Sequence, residues 1–296
     1  MNHHKYRLII PFVVPGLLMY GTFVLWPYAQ ALYVALTNWS GMTPTKTFIG
    51  FDNFTRLWDD AKFWSALKHN LQLLVLLPLT ILPIALLFAA LTTQKVGGLR
   101  GSGFYRFLFF APEVMSAVVI GVLWSFVYHP SMGLLNGLLK TIGLDGLARP
   151  WLGSPQTVLW AIAAVIIWSG VGFFMILFMA GIQSIPTDFY EAATLDGAGR
   201  WRSFRDITFP LLRDQLQVAY VFIGIGALDM FALVQVMAEG GGPSRSADVV
   251  ARYMYDTAFQ QSRFGYATAI GVVLLALTLV LSLITIRLTS RERIEY

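Results

Sequence analysis

The chain has 296 residues, 56% of them hydrophobic and only 12% charged, with a mean hydropathy of +0.64 and a formal net charge of +5. Soluble domains carry about 25% charged residues, so this composition excludes an ordinary soluble fold, and the lack of cysteine excludes disulfide and thiolate chemistry. The basic balance does not indicate nucleic acid, since no soluble basic stretch carries it; in a membrane chain it fits cytoplasmic loops beside an anionic leaflet.

A membrane-crossing helix needs about 20 mostly apolar residues. On that basis the sequence predicts six spans, at about 8–36, 67–93, 104–128, 157–182, 211–238 and 265–288, in one all-α, polytopic domain covering 1–296. Lys5 and Arg7 before the first apolar run, with Ala29-Gln30-Ala31 after it, resemble a signal peptide. The run is longer than a typical signal core, and Trp26, Pro27 and Tyr28 crowd the supposed cleavage site, so a retained helix is expected. Pro11, Pro15 and Pro27 in the first span, and Pro78 and Pro83 in the second, are tolerable where neighbouring helices satisfy the freed carbonyls.

Orientation follows from Lys and Arg in the loops. The stretch TTQKVGGLRGSGFYR, 92–106, holds Lys95, Arg100 and Arg106 and no acid. Placing it inside puts both termini and residues 183–210 in the cytoplasm. Within the spans two ionisable residues stand out, Glu113 in the third and Asp229 in the fifth. Charge at bilayer depth costs several kcal/mol, about 2.5–3.5 on insertion scales, and by default marks a pathway or a buried pair. Glu113 follows Pro112 and has the alternative of facing water near a helix end.

Between the fourth and fifth spans lies EAATLDGAGRWRSFRDITFP, 191–210. Pro186 suits a first helical turn, and Asp188 and Glu191 fall where negative charge meets the positive end of the helix dipole. The helix is expected to stop at Gly197, which can adopt the left-handed conformation. At helical spacing Phe189, Ala192, Ala193 and Asp196 share one face, with Glu191 and Leu195 beside it. Two alanines let another backbone approach closely, and a rim carboxylate can fix register through a charged hydrogen bond. A helix lying on lipid headgroups would favour Lys and Arg, yet 187–197 carries three acids and no base. Docking to a protein is the better reading. Trp201, Phe204, Ile207 and Phe209 are expected at the membrane interface before Pro210.

This stretch resembles the EAA motif of the membrane permease subunits of binding-protein-dependent ABC importers. Glu191, Ala192, Ala193, Asp196, Gly197 and Ala198 match it, as do Phe204, Ile207 and Pro210; Asp214 stands where a further proline is common. Residues 111–136, 240–271 and 48–57 are similar to segments of the carbohydrate-uptake branch, with the Gly241-Gly242-Pro243 turn, Tyr253 or Tyr255, and Gly265-Tyr266-Ala267 as landmarks, while Ala238 departs from a usual Thr. The resemblance implies a type I ABC importer permease fold in the cell membrane. It implies a coupling helix at about 187–200, seated in a cleft of a cytoplasmic ATPase. The implied partners are a second, non-identical permease, two ATPase subunits and an extracytoplasmic solute-binding protein.

No covalent chemistry is expected of such a chain. It has no G-x-x-x-x-G-K-[ST] phosphate loop, so ATP and Mg fall to the partner ATPases. The cargo implied is a mono-, di- or oligosaccharide, with Glu113, Trp168, Phe173, Asp229 and Gln235 as candidate stacking faces and hydroxyl partners on its path. The alternatives are a permease for another polar solute, such as a glycerophosphate, amino acid or peptide, and an ion-coupled secondary transporter, which would need several paired acids or inverted repeats. A membrane enzyme ranks below these, because His3, His4, His69 and His129 lack metal-ligand spacing.

Overall fold

In the computed structural model, which describes residues 3–93 and 102–289, the elements are helical, and the β pairing seen is an isolated bridge between Thr37 and Phe48. The chain divides into two compact units: one comprises the chain to Phe63 with Tyr253–Ala276, the other Trp64–Arg252 with the chain from Leu277 on.

In the first unit, α1 (His3–Tyr20) runs through a π turn, Gly21–Leu25, into α2 (Trp26–Ala35). The most apolar window of Pro11–Ala35 buries none of its residues. The carbonyls at the end of α2 are taken up by Asn53 of α3 (Asp52–Trp58), whose Nδ2 donates to Ala35 O at 2.8 Å and Thr37 O at 2.9 Å. Asp60 begins α4 (Ala61–Thr92): its Oδ1 accepts from the Lys62 and Phe63 amides. Its Oδ2 accepts from the Tyr253 and Tyr266 hydroxyls at 2.5 and 2.6 Å. Burial pushes the Asp60 carboxyl up, but the two hydroxyls and two amides outweigh it and hold it below the usual carboxylate range.

The second unit packs around α8 (Val158–Ser184), whose buried Val158, Ile162, Val165, Met175, Phe178 and Ile182 belong to the core cluster. α5 (Ser102–Phe110) crosses it at Gly172, where an added Cβ would lie 2.0 Å from the Phe109 carbonyl oxygen, so only glycine permits this approach. The third span is not one straight helix. α5 ends in a 3₁₀ turn, Ala111–Val114, Met115 is extended, and Ser116 caps α6 (Ala117–Val127) by accepting from the Val119 amide; the two helices are bent by 102°. The polar cap restarts the helix after Pro112, and Glu113 sits exposed at the bend rather than inside a span helix.

After α7 (Leu134–Thr141) and α8 come α9 (Thr187–Leu195), α10 (Arg200–Ser203), a π turn Phe204–Thr208, α11 (Phe209–Leu211) and α12 (Arg213–Leu228), with a 65° bend at Leu212. The fifth span also differs from the uninterrupted helix expected over 211–238. α12 stops at Leu228 because Asn70 of α4, fully buried, donates to Ala227 O at 2.6 Å and Leu228 O at 3.2 Å, terminating the ladder with a side chain. The chain then forms α13 (Ala232–Met237), which packs on α6. Asn70 Oδ1 accepts from Val250 N at 2.9 Å at the start of α14 (Val250–Tyr255). α15 (Phe264–Thr289) closes the described chain. Among the described residues, four helices are long and apolar enough to cross a membrane, and six if each bent pair counts as one span. The basic stretch 92–106 lies in large part, at 94–101, outside the described residues.

Candidate functional site

α9 starts at Thr187, as the 187–200 bounds expect, with Pro186 just ahead of it in an extended conformation (ψ 140°) rather than within its first turn. It stops where the sequence says it should. Gly197 has φ +74°, the Gly197 amide donates to Thr194 O at 3.0 Å, and the Ala198 amide donates to Ala193 O at 2.8 Å. These two bonds form the Schellman closure, which a left-handed glycine permits without Cβ strain.

No residue of α9 is buried. Glu191, Ala192, Asp196 and Gly197 are exposed, Ala193 and Ala198 are half-buried, and Leu195 is 89% exposed. A hollow of about 480 Å³ is lined by Thr187, Tyr190, Glu191, Thr194 and Leu195. An isolated helix of this length is marginal in water, so its position depends on anchors. Ile185 is buried just ahead of it, and the Tyr190 hydroxyl meets the buried Thr208 Oγ1 at 3.0 Å, tying α9 to the π turn. Burial raises the Tyr190 phenol above its ordinary range, opposed by the Thr208 bond. The result is a braced helix that turns its small and acidic residues outward.

Beyond Gly197, Trp201 stacks on Phe204 at 5.8 Å. Arg205 Nε donates to Asp206 Oδ1 at 2.9 Å, and Arg202 Nε lies 3.6 Å from Asp206 Oδ2. Both pairs are exposed and contribute little to stability.

The five path candidates lie in the second unit at four places: Glu113 at the α5–α6 bend, Trp168 and Phe173 on α8, Asp229 at the end of α12, and Gln235 on α13. Trp168 is 45% exposed and meets Trp124 of α6 edge-on at 5.3 Å; Trp124 in turn lies 5.2 Å from Tyr128, whose hydroxyl donates to Ala161 O. Phe173 stands edge-on to Phe174 at 5.1 Å. The Gln235 Oε1 atom is buried with no hydrogen-bond partner. A buried carbonyl oxygen in that state carries a cost of about 1–3 kcal/mol. Among the described residues, no group of three or more His, Asp or Glu side chains is placed to hold a metal.

Sequence reasoning missed the polar network behind this region. Arg252 is fully buried and donates to Asp248 through Nε (2.6 Å) and Nη2 (2.8 Å). Arg245 adds a third bond to Asp248 Oδ2 at 3.2 Å, and His69 Nδ1 contacts the Asp248 carbonyl at 2.7 Å. The signal available was Asp248 and Arg252 at i, i+4, the helical spacing for an ion pair.

The described chain combines helices of membrane-crossing length, broken spans and an exposed helix that carries the EAA-like stretch. Residues 81–294 match the family described as binding-protein-dependent transport system inner membrane component, and the chain belongs to that family. It is 42% identical over 287 residues to the diacetylchitobiose uptake system permease protein NgcF of Streptomyces coelicolor, covering 95% of this chain and 81% of that one. The multiple sugar-binding transport system permease protein MsmF of Streptococcus mutans is 29% identical, covering 95% and 94% of the two chains. Among solved structures, a chain of a bacterial ABC transporter involved in the import of the acidic polysaccharide alginate superposes with a TM-score of 0.82, at 26% identity and covering 96% of each chain. The all-α type I ABC permease fold and the role of inner-membrane transport subunit follow.

Proposed function

We propose that this chain lines half of the translocation path of an ATP-driven sugar importer and is driven by a separate ATPase through α9. The supporting observation is the EAA stretch itself: its matched residues form a helix with no buried residue, closed by left-handed Gly197 and braced from behind by Tyr190. The relatives named for diacetylchitobiose and multiple sugars, and the alginate importer, favour a mono-, di- or oligosaccharide over an amino-acid or peptide cargo.

In this reading both termini and residues 183–210 are cytoplasmic. Glu191, Ala192, Ala193, Asp196, Gly197 and Ala198 form the contact with an ATPase that binds ATP and Mg; this chain holds neither and catalyses nothing. A second EAA-bearing permease supplies the other half of the path and covers apolar surface such as Pro11–Ala35. An extracytoplasmic binding protein delivers the sugar. ATP shifts the conformational equilibrium only as far as it binds one global state better than the other, and α9 carries that difference to the spans. Trp168, Phe173 and Gln235 offer stacking faces and a carbonyl oxygen to the sugar, with Asp229 and Glu113 at breaks in the spans.

The test is reconstitution with the partner permease, ATPases and binding protein in proteoliposomes. ATP-dependent uptake of a labelled oligosaccharide is expected, with Glu191→Lys inserting normally but not transporting. Uptake without ATP, or undiminished uptake by Glu191→Lys, would overturn the reading.

A further inference from the structure

Directly after the coupling helix the chain forms one wall of a groove of about 390 Å³. Its lining is Pro83, Leu86 and Leu87 of α4 on one side and Trp201, Phe204, Arg205 and Phe209 on the other. Apart from Arg205 every lining side chain is apolar. Leu87, Trp201 and Phe209 are exposed, and α4 is one of the helices long and apolar enough to cross a membrane, a setting in which an acyl chain can reach the groove. Arg205 is the cation that lines the groove; nearby in sequence stand Arg200, Arg202 and Arg213 with the acids Asp206 and Asp214.

We infer that this groove is a binding site for an anionic phospholipid of the inner leaflet, with an acyl chain in the slot and the phosphate on Arg205. The charge and the shape point the same way. A guanidinium is the side chain best matched to a phosphate, and basic pockets beside spans on the cytoplasmic side are suited to anionic headgroups. Arg205 is already held near this position by Asp206, but its side chain is 71% exposed, and so exposed a pair yields to a competing phosphate at little loss. Trp201 stacked on Phe204 presents an aromatic face at the depth where headgroup meets chain. A lipid here bridges α4 and the segment that follows the lever, linking the coupling loop to the lipid composition of the membrane. The inference rests on the cytoplasmic placement of 183–210 proposed above.

The assembled importer, titrated in detergent with phosphatidylglycerol and with phosphatidylcholine of the same acyl chains and read by native mass spectrometry, tests it. The wild type is expected to bind the anionic lipid about fivefold more tightly, from the electrostatic contribution of one cation near a headgroup. Arg205→Gln removes that preference and Arg205→Lys retains most of it. Leu87→Trp fills the slot and weakens both lipids, and glycerophosphate without acyl chains does not displace them. Equal binding of the two lipids by the wild type, or an undiminished preference in Arg205→Gln, overturns the site. So does loss of a protein subunit in Leu87→Trp with lipid binding unchanged, which identifies a protein occupant. Leu195→Cys, labelled in intact cells with an impermeant maleimide, separates the two layers: labelling from outside overturns the placement and the site together. Protection without a lipid preference leaves the placement standing and overturns the site alone.

Discussion

α9 and the segment from Asp229 to Arg252 are both polar interruptions in apolar sequence, and they are built in opposite ways. α9 buries nothing, has its charges in water, and is shaped by local bonds: a left-handed glycine, a Schellman closure and one tyrosine brace. The 229–252 segment buries one charged pair, Asp248 with Arg252, while Asp229 and Glu239 stay exposed. Asp248 takes bonds from Arg252 and Arg245, and Asn70 reaches in from α4 to end α12 and start α14. α9 stays exposed and is held from behind by the Tyr190 bond to Thr208. The buried Asp248–Arg252 pair is satisfied within the chain, whereas Gln235 Oε1 in the same segment is buried without a partner.

The sharpest way to break that contrast is Asp248→Ala. It leaves the fully buried Arg252 guanidinium without its bidentate carboxylate, a loss of roughly 3–5 kcal/mol. The assembled importer is expected to melt at lower temperature or fail to accumulate. Gly197→Pro acts on the other region: proline is locked near φ −65° and cannot take +74°. ATP-coupled uptake is expected to vanish while membrane insertion and the melting temperature of the spans stay near wild type.

Asp60→Asn is intermediate, weakening charged hydrogen bonds from Tyr253 and Tyr266 that contribute roughly 1.5–3 kcal/mol each. Because the folded carboxyl is held low, its contribution is full above the ordinary carboxylate range and lost as pH falls through the depressed value. Thermal melts of the wild type should show a drop in stability on that acid limb, and Asp60→Asn should flatten it. The smallest effect belongs to Tyr190→Phe, which removes one bond of roughly 0.5–1.5 kcal/mol. Faster amide exchange across 187–195, with uptake reduced less than in Glu191→Lys, is the expected result.

What could be read in the sequence follows the same division. The apolar segments, the end of α9 at Gly197 and its exposed small residues are local properties, and each is written within a few residues. The breaks were harder. Ser116 is an ordinary helix cap, but in a run as apolar as 104–128 its signal is drowned by hydropathy, so the bend beside Glu113 is absent from the expected spans. The end of α12 is set by Asn70, 157 residues away, and the start of α14 by the same side chain across 180. No window along the chain contains both partners. Asn53 does the same for α2 within 18 residues, again as a polar residue whose role appears only once the helix it caps is in place. For the path, residue type alone selected Trp168 and Gln235, while Trp124, the partner of Trp168, requires the packing of α6 on α8.

The central claim is that α9 is a lever held by a cytoplasmic ATPase. The chain has no cysteine, so Leu195→Cys, at the most exposed apolar position of α9, supplies a single thiol. In the assembled importer this thiol is expected to crosslink through a short bifunctional reagent to the ATPase subunit, with the yield changing when ATP is added. A thiol that reacts only with reagent supplied from outside the cell, or that finds no ATPase with or without nucleotide, would contradict the account.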